Sequence, residues 1–142
     1  MRTIKFRGKA SHNGEWLYGD LINIHGEYHI LGEDDMCEDG HHVTQDSDRP
    51  TWVEPDTIGQ FTGLYDENGN EIYEGDIVKF THLNTYVGIV QWDLCNPSMC
   101  ISYKNKYGYE DIEYDFIKAG NMLIEVIGNI CDNPELLKGG EK

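Results

Sequence analysis

Along most of the chain, apolar and polar side chains alternate with the two-residue period of half-buried β-strands. Ile4-Lys5-Phe6-Arg7 alternates apolar with basic and predicts a first strand. Residues 10–14 form a predicted turn, with Asn13-Gly14 as its tight-turn dipeptide. Residues 15–24 are rich in β-formers and predict a second strand, with a bulge expected at Gly19. His25-Gly26 marks another turn, and residues 27–31 a short third strand.

Residues 33–48 break this pattern. They hold seven acids (Glu33, Asp34, Asp35, Glu38, Asp39, Asp46, Asp48) and no base, with few core formers, so they predict a loop. Pro50 and Pro55 punctuate the return, around Trp52-Val53. Residues 56–64 read as a strand. Asp66-Glu67-Asn68-Gly69-Asn70 is a hairpin turn, in which Asn68-Gly69 supplies positive φ. In residues 71–80 the second half alternates, with Ile77 and Lys79 on one face and Val78 and Phe80 on the other. Strands follow at 86–92 and 99–103, a turn at 104–108, an alternating piece at 111–118 that suits a strand better than the alternative of a short helical turn, and a closing strand at 122–130. Asn133-Pro134 predicts a helix start, with Asn133 as cap and Pro134 at the first helical position, and residues 139–142 a fraying tail.

The expected fold is therefore mainly β: about nine short strands with closely spaced turns, as in a β-barrel or a small sandwich. A composition shift near residues 49–56 divides an N-terminal β subdomain, residues 1–55, from a C-terminal β-barrel, residues 56–138. The chain has 142 residues, 39% of them apolar and 11% aromatic, too many core formers for a disordered acidic chain. No apolar run approaches the ~18 residues of a transmembrane helix, and the basic start lacks the apolar region of a secretory signal. The expected location is the cytoplasm, with Cys37, Cys95, Cys100 and Cys131 as reduced, structural thiols.

Charge narrows the partners. The net charge is -15, which opposes a general phosphate-binding surface. Arg2, Lys5, Arg7 and Lys9 form the one dense basic stretch. Residues 51–142 hold six bases against 16 acids. The aromatics Tyr86, Trp92, Tyr103, Tyr107, Tyr109 and Tyr114, with Lys104 and Lys106 beside them, suit a core or a subunit interface better than a base-stacking face.

Candidate chemistry is sparse. Glu74 and Asp76 are two apart and would share a strand face, as a carboxylate pair for acid–base or metal work requires. The favoured reading is a Gly75-Asp76 turn whose carboxylate accepts backbone N–H groups. Asp35, Asp39 and Asp46 faintly echo a calcium loop, but Cys37 stands where an oxygen ligand belongs. Cys37, His41 and His42 have metal-ligand spacing and lack a fourth ligand, so a solvated loop is favoured. Cys95-x4-Cys100 has no second pair to complete a zinc knuckle. Neither Cys37-His41 nor Cys95-His82 carries a nucleophile signature, and no phosphate-binding glycine loop occurs. No catalytic, cofactor or metal residue is assigned, and neither an enzyme nor a cofactor is expected.

The string of residues 58–78, IGQFTGLYDENGNEIYEGDIV, resembles the central signature of the YopX protein family of bacteriophages and prophages. Residues 4–9, IKFRGK, resemble the family's start, and residues 125–137, EVIGNICDNPELL, its usual close. The resemblance implies a mainly-β protein, an SH3-like barrel in the C-terminal part and oligomeric association; it implies no activity. The expected function is a non-enzymatic, homo-oligomeric protein-interaction module with a possible host protein as partner, and in a sharper form an acidic mimic of nucleic acid. The alternative is a nucleic-acid-binding SH3-like module. Membrane association is not expected.

Overall fold

The computed structural model describes residues 3–32, 51–82, 84–93, 98–104, 110–113 and 123–138. The acidic stretch 33–48, Cys95, Tyr107, Tyr109, Tyr114, Lys106, Arg2 and the tail 139–142 lie outside the described residues. The chain is mainly β, with antiparallel strands throughout and one short helix among the described residues. No described helix is long and apolar enough to cross a membrane. The chain divides into two compact units, residues 1–61 and 62–142.

In the first unit, β1 (Phe6–Lys9), β2 (Trp16–Ile24) and β3 (Glu27–Leu31) form an antiparallel meander, and the start of β4 (Gly59–Tyr65) pairs with the outer side of β1. β2 serves two partners. Residues 16–19 face β1, with Phe6 opposite Gly19, and residues 20–24 face β3, with Asp20 opposite Leu31. Gly19 is thus the point where pairing changes partner, in place of the expected bulge. Its φ is +153°, and an added Cβ would run into the Leu31 carbonyl, so only glycine fits.

The β2–β3 turn places both His25 (φ 52°) and Gly26 (φ 86°) in the left-handed region, as a two-residue type I′ hairpin demands. The Asn23 side chain accepts the Gly26 N–H at 2.9 Å. Residues 51–54 then strap the unit. Ile30 N–H donates to Thr51 and Val53 N–H to Tyr28 on one side, while Glu54 N–H donates to Lys9 on the other, each at 2.9 Å. This covers the open edge of β3. Ala10, Ile30, Leu31 and Val53 are buried, with Ile30 and Val53 packed closely over Gly8.

The strand expected from residue 56 begins later. Pro55–Thr57 is a single 3-10 turn, because Pro55 fixes φ at a helical first position. Thr57 locks it by accepting the Lys9 N–H at 2.8 Å and donating to the Glu54 carbonyl at 2.6 Å.

In the second unit, β4 runs on beside β5 (Glu71–Tyr73). A five-stranded sheet in the order β10-β6-β7-β8-β9 follows, from β6 (Asp76–His82), β7 (Asn84–Asp93), β8 (Ser98–Lys104), β9 (Glu110–Glu113) and β10 (Leu123–Asn129). The alternation in β6 has the predicted consequence: Val78 and Phe80 enter one core with Ile72, Val90, Ile101 and Ile124, while Lys79 is exposed. Ile77 is buried as well, although it lies on the Lys79 side of the strand. β10 carries the bulge of this sheet, between Val126 and Gly128. The helix α1 (Glu135–Lys138) starts one residue after Pro134. Asn133 accepts from Leu136 N–H with its carbonyl, while its side chain turns back toward the Asn129 N–H at 3.4 Å.

Candidate functional site

The sequence singles out Glu74-Gly75-Asp76 as its most chemical motif, and the structure makes it a turn. Glu74 and Gly75 lie between β5 and β6, with Gly75 at φ 92°, so Glu74 and Asp76 do not share a strand face. Asp76 is buried, and its carboxylate accepts the Tyr73 N–H at 2.7 Å. A carboxylate is the natural closure here: backbone N–H donors leaving a tight turn need an acceptor that water cannot supply in a buried site. The Gly75 N–H donates to Val90 at 2.8 Å and its carbonyl accepts from Ile130 at 2.9 Å, tying the turn to β7 and to the end of β10. Tyr73 donates its hydroxyl to Glu71 at 3.1 Å.

A second carboxylate, Asp66, does more than local pattern foretells. It is buried at the head of the β4–β5 hairpin. One of its oxygens accepts the N–H groups of Asn68 (2.9 Å) and Asn70 (2.8 Å). The other accepts the Asn70 carboxamide (3.2 Å) and the Val126 N–H (3.0 Å), which lies 60 residues away. Only Gly69 of the Asn68-Gly69 pair has positive φ, which with the Gly69-to-Asp66 bond of 3.0 Å makes a type I turn ending in a glycine bulge. Glu67 N–H also donates to the Ile124 carbonyl at 2.9 Å, so the hairpin tip covers the outer edge of β10. Burial alone would raise the Asp66 pKa, but the donors Val126, Asn70 and Asn68 outweigh it and hold the carboxyl below its ordinary value of 3.8. The aspartate opening D-E-N-G-N is the sequence signal for the local half of this role.

The other candidates separate. Tyr86 and Tyr103 pack on Phe80, with ring centroids 5.4 and 5.1 Å from it and 4.9 Å from each other, so these two aromatics are core. Trp92 is exposed. Cys100 is fully buried and Cys131 half-buried. The cysteine–histidine set Cys37, His41 and His42, the acids Asp35, Asp39 and Asp46, and Cys95 lie outside the described residues, as do the side chains of His82 and Lys104. No group of three or more metal-ligating side chains occurs among the described residues.

Lys5, Arg7 and Lys9, spaced by two, come to one face of the first strand. The Arg7 guanidinium lies 4.8 Å and the Lys9 ammonium 5.5 Å from the Trp16 ring, and Lys5 lies 5.5 Å from Phe61. The register sets Trp16 opposite Lys9 and Tyr18 opposite Arg7, so the five side chains share one side of the sheet, with Arg7 itself buried there.

Among solved structures, the chain is similar to protein EF1440 from Enterococcus faecalis, with 23% identity, coverage of 96% of this chain and 99% of that one, and a TM-score of 0.42. No curated protein matches. The family model described as YopX protein matches residues 5–138, and with the match running from β1 to α1 the chain belongs to the YopX protein family.

Proposed function

We propose that this protein is a phage- or prophage-derived, non-enzymatic interaction module that works in the cytoplasm as a homo-oligomer and docks a host protein. The observation that carries this reading is the exposure of large aromatic side chains on both units: Tyr18 (48%) and Trp52 (49%) on the first, Tyr65 (60%) and Trp92 (44%) on the second. Tyr and Trp bring large, rigid contact area and dominate binding energy where proteins meet. An SH3-like barrel within residues 56–138 belongs to the same reading. It is supported by the antiparallel strands β6–β10 and by the core that β6, β7, β8 and β10 share with β5.

Affinity capture from a bacterial host lysate tests the host contact. The intact chain should retain a discrete protein, and a Trp52→Ser, Tyr65→Ser chain of equal melting temperature should release it. Equal retention by both, or no capture by either, counts against the proposal.

One observation favours a second reading, a nucleic-acid-binding module: Lys5 and Lys9 lie on the same side of the sheet as Trp16 and Tyr18, with Arg7 buried between them. The net charge of -15 opposes it. A gel shift with single- or double-stranded DNA or RNA at low salt would support this reading, and its absence would remove it.

A further inference from the structure

Two Asn-Gly dipeptides stand exposed at turn tips, Asn13-Gly14 between β1 and β2 and Asn68-Gly69 between β4 and β5. Both glycine N–H groups are hydrogen-bonded, Gly14 to the Ala10 carbonyl at 2.8 Å and Gly69 to the Asp66 carbonyl at 3.0 Å. That bond therefore does not distinguish them. The asparagine side chains do. The Asn13 Oδ1 accepts the Glu15 N–H at 2.9 Å, which closes a side-chain turn across Gly14. The Asn68 carboxamide makes no hydrogen bond to the described residues.

We propose that Asn13-Gly14 is a self-modifying site, at which the folded chain converts Asn13 to aspartate and isoaspartate faster than it converts Asn68. In this reaction the Gly14 amide gives its proton to hydroxide, and the nitrogen attacks Cγ of Asn13. The Cγ–Nδ2 bond breaks, ammonia leaves with a proton from water, and a five-membered succinimide remains. Water then opens the ring at either carbonyl. Negative charge develops on Oδ1 during the attack, and the Glu15 N–H already points at that atom, as an oxyanion donor should.

A second difference acts in the same direction. Ring closure requires the glycine N–H to leave its carbonyl partner, Ala10 for Gly14 and Asp66 for Gly69. The 68–69 turn is pinned by Asp66, which is buried and also holds Val126 in β10, whereas Asn13 and Gly14 bond only within residues 10–15, and the nearest long-range tie is at the base of the turn, from Ser11 N–H to the Trp52 carbonyl at 2.9 Å. Local opening is cheaper in the second case. The isoaspartate product would lengthen the main chain within the turn that aligns β1 with β2, and either product adds a negative charge beside the basic first strand.

The test is peptide mapping by mass spectrometry of the full chain aged at mildly alkaline pH, folded and in concentrated urea. In the folded chain Asn13 should convert about tenfold faster than Asn68, the factor expected of one hydrogen bond to the developing oxyanion. In urea the two rates should converge, because both become simple Asn-Gly dipeptides. Equal rates in the folded chain, faster conversion at Asn68, no conversion at Asn13, or a preference that persists in urea would each overturn the assignment.

Discussion

Asp66 ties the β4–β5 hairpin of the second unit to β10. It answers four donors with one carboxylate, and one of them, Val126 N–H, belongs to a strand 60 residues away. Asp66→Ala removes every one of these bonds and should cost about 3 kcal/mol of stability in urea melts, whereas Asp66→Asn, which keeps acceptor capacity, should cost less. Its pH dependence has a definite sign. The folded pKa lies below the ordinary 3.8, so the ionised form is favoured by folding, and this contribution is present above 3.8. It is lost as pH falls through the folded pKa, and wild-type stability should drop there more steeply than that of Asp66→Ala. Half of this role is legible in the sequence, since Asp in D-E-N-G-N is a turn aspartate. The bond to Val126 is not, because no local pattern reports a partner so distant.

At the scale of elements, alternation locates the strands well, because each has one face in a core. It cannot tell which strand lies beside which. Residues 15–24 read as one strand and form one, yet the change of partner at Gly19 emerges only when β3 is in place. Gly19→Ala should therefore destabilise by more than about 2 kcal/mol, since the new Cβ meets the Leu31 carbonyl in the folded chain alone. The neighbouring turn offers the opposite change. His25 sits at φ 52° in an exposed type I′ position that asparagine occupies more readily, so His25→Asn should raise stability by about 0.5 kcal/mol in the same melts. Residues 56 and 57 misread as strand for a simple reason: the β-forming run after them is strong, and the effect of Pro55 on its own turn is local.

Over the whole molecule, the segments that carry the family resemblance prove to be neighbours. Residues 58–78 and 125–137 meet through Asp66 and Val126, and again through Gly75 and Ile130. Their glycines, aspartates and asparagines close turns and cover a strand edge. This explains why the family is legible from the sequence while a reaction is not: the distinctive residues support backbone geometry. The proposed work of the molecule then falls to exposed aromatic surface, and the net charge of -15 has to be kept off any surface where copies meet. The most direct test of that account is the mass of the intact chain in solution, measured by light scattering across protein concentration and salt. Association through aromatic surface predicts a multiple of 16.3 kDa that persists in high salt. A mass of 16.3 kDa under every condition would contradict it.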